Sequence, residues 1–259
     1  KGQHLVFIPG CGGNEFVFKK YLKMGITLSG LQRVHSVARV LEKGKLTKEA
    51  GVKKELFVAS IPNSFNDEFK NVIETLYGIK TTPLSNYLNV TLINSNPLLH
   101  TSRLYSLFKE YPSVSKYVKV PLFYEEWDLE SAEILSEMDK ELCLLFSEFK
   151  KYGLEVNNIV PIMKYYDSET PLQMMNKLRS IASFKGLTSP VILNEDGTYS
   201  PDLNSRYFTA DFPYGLDIIV EIANLMGVAT PKLNEVSSWY HKISNTKKVF
   251  LLEDYGILN

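Results

Sequence analysis

The chain has 259 residues, 44% of them hydrophobic, which is enough to bury a large core in one or two domains. Its 29 lysines and arginines balance its 29 aspartates and glutamates without a basic arm or an acidic tail, so nucleic acid and anionic membranes are not expected partners. No apolar run reaches the roughly 18 residues of a membrane-spanning helix, and no signal peptide precedes the first strand. Cys11 and Cys143 lack metal-ligand or CxxC spacing, and we therefore expect a cytoplasmic protein without a metal site.

The first 82 residues alternate between strand and helix patterns. Five elements follow the first strand, His4 to Ile8, in this order: a helix from Asn14 to Met24, a strand from Ile26 to Leu31, a helical or mixed stretch from Ser36 to Glu49, a strand from Glu55 to Ile61 and a helix from Asn66 to Tyr77. Such alternation predicts an α/β layer with a parallel sheet.

A glycine-bearing loop, Pro9-Gly10-Cys11-Gly12-Gly13, follows the first strand. It is not a G-x-G-x-x-G sequence, and no acidic residue follows at the distance typical of a dinucleotide site. The loop does offer bare backbone to a ligand at the carboxyl end of a strand, where open α/β sheets bind ligands. Because the chain begins almost directly with a strand and has no initiator Met, we expect further sequence upstream of Lys1.

From about residue 83 onwards, helical periods dominate. The predicted helices cover roughly 83–95, 96–110, 129–152, 171–184 and 213–226, followed by a final pair of short helices. A short extended piece is predicted only at Pro190 to Leu193, before a turn. We therefore predict two domains, an α/β domain at 1–82 and a helical domain at 83–259.

The best-defined of these helices spans 96–108. Asn96 suits the N-cap and Pro97 the first helical position. At helical spacing His100 lies on the apolar face, opposite Arg103, about one turn from the N-terminus, where the helix dipole favours a neutral imidazole. Such a ring can exchange a proton with a substrate. The alternative is a core histidine bonded to a backbone carbonyl.

A second unusual segment runs from Asn204 to Gly215 and precedes an apolar helix. Asp211 could be only an N-cap with Pro213 at the helix start, and Arg206 only its ion-pair partner. The functional interpretation is that the aspartate orients a histidine and stabilises its imidazolium, while the arginine holds a substrate carboxylate.

Together these segments resemble the two signature segments of the octopine/nopaline (opine) dehydrogenases, in the helical domain that follows their nucleotide-binding domain. N-P-L-L-H occupies 96–100 and R-Y-F-T-A-D-F-P-Y-G occupies 206–215. Residues 10–16 are similar to the family's glycine-bearing loop facing the nicotinamide and substrate, 31–33 to the end of its next strand, and 123–126 to the segment before its long helix. The resemblance covers essentially the whole chain.

The resemblance implies an NAD(P)H-dependent reductive condensation, which joins the amine of an amino acid to a 2-keto acid through an imine that accepts hydride. His100 matches the catalytic acid/base, Asp211 its dyad partner and Arg206 the arginine associated with substrate carboxylate. The substrate-binding residues implied are Arg206, Gln32, Arg33 and Tyr207. Those implied at the cofactor are Pro9, Gly10, Cys11, Gly12, Gly13 and Asn96. NAD or NADP is the expected cofactor, and the sequence leaves the choice between them open.

One departure from the family is the missing G-x-G-x-x-G unit. Residues 1–82 therefore look like the later portion of a Rossmann-like domain, and without an upstream unit we expect weak NAD(P)H binding and little turnover. Two alternatives remain: another two-domain NAD(P)-dependent 2-keto or hydroxy acid dehydrogenase, and a non-catalytic binding or dimerisation module. We expect His4, His35 and His241 to be structural.

Overall fold

The computed structural model describes residues 2–113 and 117–249. The chain divides into two compact units: the first comprises Lys1–Asn94 with Phe149–Ile159, and the second comprises the rest. The domain limits drawn from the sequence, 1–82 and 83–259, stay a prediction. Within the described ranges, no helix has both the length and the apolar character needed to cross a membrane.

The first unit is built on a four-stranded sheet. Its strands are β1 (His4–Phe7), β2 (Thr27–Leu31), β5 (Leu56–Ile61) and β6 (Thr81–Pro83), hydrogen-bonded in that order. The pairs β1–β2 and β5–β6 are parallel, whereas β2–β5 is antiparallel. The sheet is therefore mixed, with parallel pairs at both edges.

The antiparallel pair has its origin in the connection between β2 and β5. The helical or mixed structure predicted for Ser36 to Glu49 was wrong: strands β3 (Ser36–Glu42) and β4 (Leu46–Val52) form an antiparallel ladder there. The turn between them contains Gly44, whose φ of 77° suits glycine. A parallel neighbour needs a crossover connection, usually a helix. Because a hairpin replaces that helix, β5 returns antiparallel to β2.

Helices cover both faces of this sheet. They are α1 (Asn14–Val17), α2 (Lys19–Lys23), α3 (Asn66–Tyr77) and α4 (Leu88–Thr91). Helix α3 has the predicted bounds. The helix predicted from Asn14 to Met24 is interrupted at Phe18, and the one predicted at 83–95 is reduced to α4 because Pro83 pairs in β6. One apolar cluster comprises Leu31, Leu56, Val58, Phe69, Ile73 and Ile79, and the other comprises Leu28, Ala59, Leu84, Tyr87 and Val90.

Residues 149–159 belong to the first unit through a polar network. Gln32 donates from Nε2 to the Asn89 carbonyl at 2.8 Å and accepts from Asn158 Nδ2 at 3.1 Å. Asn89 Nδ2 in turn donates to the Glu155 carbonyl at 2.8 Å. Buried amides that satisfy one another in this way fix the segment to the end of β2.

The second unit is mainly helical. Its helices are α5 (Asn96–Phe108), α6 (Leu129–Lys151, which ends in the first unit), α7 (Ile162–Tyr165), α8 (Pro171–Ser180), α9 (Arg206–Thr209), α10 (Asp217–Leu225) and α11 (Pro231–Ser244). The extended piece predicted before residue 194 is confirmed as β7 (Val191–Leu193), which pairs with β8 (Tyr199–Pro201). The single helix α11 replaces the predicted final pair up to residue 249, and residues 250–259 lie outside the described part.

An aromatic cluster packs the elements that carry the site. Phe208 on α9 stacks on Phe212 with ring centroids 6.0 Å apart, and Phe212 stacks on Tyr240 of α11 at 4.3 Å. Phe108, at the end of α5, lies 6.2 Å from Phe208. All four rings are largely removed from water, so their burial stabilises the mutual placement of α5, α9 and α11.

Candidate active site

Helix α5 carries His100, and its start differs from the prediction. The helix begins at Asn96, with Ser95 as N-cap in an αR conformation and without a side-chain capping bond. The N-cap predicted at Asn96 was therefore wrong, because helical geometry is already established one residue earlier. Pro97 lies in the first turn as expected. The Asn96 side chain lines a cavity instead.

Two residues on the face of α5 opposite His100, Ser102 and Arg103, are buried. Arg103 has a relative exposure of 1%, and its Nε donates to the Phe123 carbonyl at 3.1 Å. Its Nη1 donates to Asp128 Oδ2 at 2.8 Å, and its Nη2 to the Glu126 carbonyl at 2.6 Å. Burial lowers the pKa of Arg103, and the charge of Asp128 opposes that shift. These contacts hold the segment that precedes α6 against α5.

The second signature segment begins with α9 and continues into a π-type turn, Phe212–Leu216. Asp211 precedes this turn, and its carbonyl accepts a hydrogen bond from the Leu216 amide at 2.9 Å. A Cβ built on Gly215 would lie 2.4 Å from Cγ of Pro97, a distance that real atoms do not reach. Glycine is thus required where the turn meets the first turn of α5.

This contact brings His100 and Asp211 together. His100 Nδ1 lies 2.8 Å from Asp211 Oδ2, and the two side chains are 13% and 14% exposed. Because an ionised carboxylate only accepts, Nδ1 is the protonated nitrogen of this pair. Asp211 makes no side-chain capping bond, so its carboxylate serves the histidine rather than the helix start.

A cavity of about 260 Å³ lies beside the pair. Its lining residues are Asn96, His100, Arg206, Tyr207, Ala210 and Asp211. Five of these six were singled out from the sequence as site residues, and they come from only two segments of the second unit. The sequence gave no reason to select Ala210.

Arg206 is exposed at the start of α9. Among residues 2–113 and 117–249 its side chain has neither a hydrogen bond nor an ion pair with protein, so the expected alternative of an Arg206–Asp211 ion pair is wrong. A guanidinium without a protein partner at a cavity wall is suited to bind a carboxylate bidentately.

Aromatic rings complete the surroundings of His100. The ring of Tyr207 lies 4.8 Å from the imidazole, and that of Phe123 meets it edge-on at 5.5 Å. Burial, together with the charge of Asp211, raises the pKa of Tyr207, so its hydroxyl stays neutral. The imidazole therefore sits in a largely apolar wall with one carboxylate partner.

Sequence reasoning missed Tyr124, whose hydroxyl lies 2.9 Å from His100 Nε2. The only signal was the similarity of residues 123–126 to a family segment, and that similarity assigned no role to Tyr124. Arg103 was missed as well, because its spacing placed it on the polar face of α5. Neither partner is local: Tyr124 is 24 residues from His100, and Asp128 is 25 residues from Arg103.

The glycine-bearing loop lies in the first unit, and its local geometry explains why glycine occupies positions 10, 12 and 13. Gly12 and Gly13 have φ values of 99° and 77°, which favour glycine. A Cβ on Gly10 would lie 2.6 Å from Val90 Cγ1 and 2.8 Å from the Gly30 Cα. The side-chain amide of Asn14 donates to the Gly10 and Cys11 carbonyls, each at 3.2 Å, and so fixes the loop.

Glu15 is buried directly after this loop, with a relative exposure of 8%. Its Oε1 accepts a hydrogen bond from the Thr91 hydroxyl, whereas its Oε2 is buried without a partner in the described structure. Burial raises the pKa of Glu15 to about 7, although the Thr91 hydrogen bond opposes the shift. The carboxyl is thus close to half protonated at neutral pH.

The remaining predicted substrate residues also lie in the first unit. Both ends of the Gln32 amide are bonded in the network with Asn89 and Asn158. Arg33 is exposed at the end of β2. Their roles in substrate binding stay predictions.

The other histidines have protein partners. His4 Nε2 lies 2.9 Å from Ser29 Oγ, the His35 ring stacks on Tyr77 at 4.3 Å, and His241 Nε2 lies 2.8 Å from Asp217 Oδ2. No cluster of three or more histidine, cysteine or acidic side chains arranged to hold a metal ion occurs in the described residues.

Comparisons with known proteins place the sequence beside opine dehydrogenases. A family model for the NAD/NADP octopine/nopaline dehydrogenase alpha-helical domain matches residues 83–244. The tauropine dehydrogenase of Arabella iricolor is 28% identical over 165 residues, which are 60% of this chain and 41% of that protein. The opine dehydrogenase of Haliotis discus hannai is 26% identical over 254 residues, which are 92% of this chain and 62% of that protein.

Solved structures show the same fold. A structure of octopine dehydrogenase with NADH and L-arginine has a TM-score of 0.78 at 22% identity and covers 93% of this chain and 63% of its own. An NADP⁺-bound yersinopine dehydrogenase has a TM-score of 0.63 at 12% identity, with 94% and 65% covered. The chain thus spans less than two thirds of each of these proteins.

The predicted fold class, part of a Rossmann-like α/β domain followed by a helical domain, is confirmed by these structures. The family match covers more than half of the chain and includes both signature segments. The chain belongs to the octopine/nopaline dehydrogenase family.

Proposed function

We propose that this chain is the helical catalytic domain, with the later portion of the nucleotide-binding domain, of an opine dehydrogenase-like oxidoreductase. The reaction is the NAD(P)H-dependent reductive condensation of an amino acid amine with a 2-keto acid. The observation that supports this most directly is the His100–Asp211 pair, 2.8 Å apart, in one cavity with Arg206, whose guanidinium has no partner among the described residues.

The pair is suited to general acid/base work. Asp211 keeps the proton on His100 Nδ1 and stabilises the imidazolium, so Nε2 is the nitrogen that gives up or takes a proton. Condensation of an amine with a keto acid first forms a carbinolamine. Its hydroxyl leaves as water when it receives a proton, which we assign to His100 Nε2, and the protonated imine that remains accepts the hydride.

Arg206 is proposed to anchor a substrate carboxylate. Its two terminal nitrogens match the two oxygens of a carboxylate, and both proposed substrates carry that group. Tyr207 and Asn96 line the same cavity and would limit the shape of what Arg206 holds. The keto acid is the substrate that we assign to this anchor.

The cofactor would supply the hydride that reduces the imine carbon. The loop from Pro9 to Gly13 leaves its backbone open to close approach, because Gly12 and Gly13 carry no Cβ and both have positive φ. Cys11 is half-buried in this loop and Asn96 lines the cavity of the second unit. We propose that these residues lie at the nicotinamide end of the cofactor, which is either NAD or NADP.

The reaction is tested by NADH or NADPH oxidation in the complete natural protein. Pyruvate is the first keto acid to offer, with L-arginine and agmatine as amines, because octopine dehydrogenase has been solved with each of these compounds. Alanine, glycine and taurine extend the panel. We expect oxidation that requires both an amine and a keto acid. Oxidation that ignores the amine would instead indicate a 2-keto acid reductase, and none with any pair would refute both.

The dyad is tested by His100→Ala and Asp211→Asn. Removing an acid/base group commonly costs about 10²- to 10⁴-fold in turnover, and we expect a loss of this size in both variants. Tyr105→Phe, on the same helix but bonded to Glu235 rather than to His100, is the matched control. Turnover of His100→Ala equal to that of the unaltered protein would contradict the assignment.

A further inference from the structure

Both ring nitrogens of His100 have a protein partner. Nδ1 donates to Asp211, and Nε2 lies 2.9 Å from the hydroxyl of Tyr124. In the neutral ring Nε2 carries the lone pair, so the Tyr124 hydroxyl is the donor. The nitrogen assigned to proton transfer therefore already holds a hydrogen bond to a side chain without an assigned role.

The ring of Tyr124 is fixed in place. It stacks between Phe184, with centroids 4.0 Å apart and planes at 18°, and Trp127, at 5.8 Å and 10°. The residue is 4% exposed. A ring held on both faces in a buried site keeps one rotamer, so its hydroxyl has a defined position relative to the imidazole.

The main chain around Tyr124 is held by Arg103. The guanidinium donates to the carbonyls of Phe123 and Glu126, on either side of Tyr124, and its charge is paired with Asp128. Arg103 follows His100 by three residues, which is about one helical turn. Helix α5 thus carries both the imidazole and the side chain that fixes the imidazole's second partner.

The hydroxyl of Tyr124 remains protonated. Burial raises the pKa of Tyr124 well above its usual range, and the charge of Asp211 adds to the shift. A neutral hydroxyl donates to Nε2 when the imidazole is neutral and accepts from Nε2–H when it is protonated. The same contact therefore persists in both protonation states without rearrangement.

We propose that Tyr124 is a positioning residue for His100, whose hydroxyl fixes the orientation of the imidazole through Nε2. Asp211 and Tyr124 then hold the ring at opposite nitrogens. A ring held in this way presents Nε2 in one orientation, and the proton that passes from Nε2 to a substrate oxygen starts from the geometry that Tyr124 sets.

The hydrogen bond is tested without any turnover, by ¹⁵N NMR of the histidine-labelled chain. We expect neutral His100 to be the Nδ1–H form, with Nε2 shifted as an acceptor of a hydrogen bond. In Tyr124→Phe the Nε2 signal moves downfield because the donor is lost, while in Tyr105→Phe it does not move. The inference is overturned if Nε2 carries the proton in the unaltered chain, or if its signal is the same in Tyr124→Phe.

The kinetic consequence rests on the proposed function and is measured in the complete protein. Tyr124→Phe should lower kcat by roughly tenfold, the size expected for one lost hydrogen bond to a charged group, with KM for the keto acid within about twofold. An unchanged kcat overturns the positioning role even where the NMR shift is present. An unaltered protein that shows no amine-dependent oxidation refutes the proposed function instead, and the NMR result then decides on Tyr124 alone.

The substitution is expected to leave the fold intact. Phenylalanine keeps the stacking with Phe184 and Trp127 and removes only the oxygen. Near-ultraviolet circular dichroism of Tyr124→Phe and Tyr105→Phe checks this. If Tyr124→Phe fails to fold, the tautomer and the Nε2 shift of the unaltered chain still decide whether the hydroxyl donates to Nε2.

Discussion

Glu15→Gln should remove a pH dependence of stability from the first unit. Glu15 is buried next to the glycine-bearing loop, and burial raises the pKa of its carboxyl from 4.5 to about 7. The folded chain therefore holds a proton that the unfolded chain releases near pH 4.5, and the free energy of unfolding falls as the pH rises from about 4.5 to about 7. Above that range the loss is complete and constant.

The size of the effect follows from the same pKa values. Each pKa unit corresponds to about 1.4 kcal/mol, so the change from 4.5 to about 7 lowers the free energy of unfolding by about 3 kcal/mol between acid and neutral pH. Glutamine keeps the shape and the Thr91 hydrogen bond, but it cannot ionise. Relative to the unaltered chain, Glu15→Gln should gain about 2 to 3 kcal/mol between pH 5 and pH 8.

Native-state hydrogen exchange at the amides of α4 measures this, because α4 carries Thr91 and belongs to the same unit. The matched control is Glu68→Gln, an exposed carboxyl on α3. We expect Glu68→Gln to follow the unaltered chain at both pH values. Parallel pH dependence in Glu15→Gln and the unaltered chain would refute the assignment of a protonated, buried carboxyl.

Three further substitutions test other contacts. Arg206→Lys should raise KM for the keto acid by roughly tenfold with a smaller effect on kcat, because lysine lacks the planar fork; steady-state kinetics that leave KM unchanged would remove Arg206 as the carboxylate anchor. Arg103→Met should lower the free energy of unfolding by about 3 kcal/mol, since buried carbonyls lose their donor. Urea denaturation measures this loss, and a value below about 1 kcal/mol would contradict the role of Arg103 in holding the segment that precedes α6. His241→Ala should cost about 2 kcal/mol, because Asp217, which is fully buried, keeps the Ser237 hydroxyl as its one side-chain partner among the described residues; thermal unfolding checks this, and an unchanged Tm would mean that the pair contributes nothing.

How far the sequence predicts this molecule depends on where the partners of each residue lie. Helix α3 was predicted with its observed bounds because its apolar period is local and Gly78 ends it in the left-handed conformation. The hairpin of β3 and β4 was missed because several of its large apolar side chains, such as Val40, Leu41 and Leu46, are exposed. Their positions give no alternation between apolar and polar residues, so no strand signal results.

The candidate site shows the same limit. His100, Asp211 and Arg206 were selected through two short segments that resemble a family, and the structure places them in one cavity. Tyr124 and the burial of Arg103 depend on contacts over 20 or more residues of sequence, which helical periodicity does not contain. The helical spacing of Arg103 predicts a place on the polar face of α5, whereas its hydrogen-bond partners hold it in the core.

The contact of Pro97 with Gly215 has a consequence for how the acid/base pair is maintained. Neither residue has a functional group, yet a methyl on Gly215 would stand 2.4 Å from the proline ring. Since carbon atoms pack at about 3.5 to 4 Å, the two segments would have to part by more than about 1 Å, and the 2.8 Å hydrogen bond between His100 and Asp211 would open with them. The distance between His100 and Asp211 thus depends on Pro97 and Gly215, neither of which takes part in the proposed acid/base chemistry.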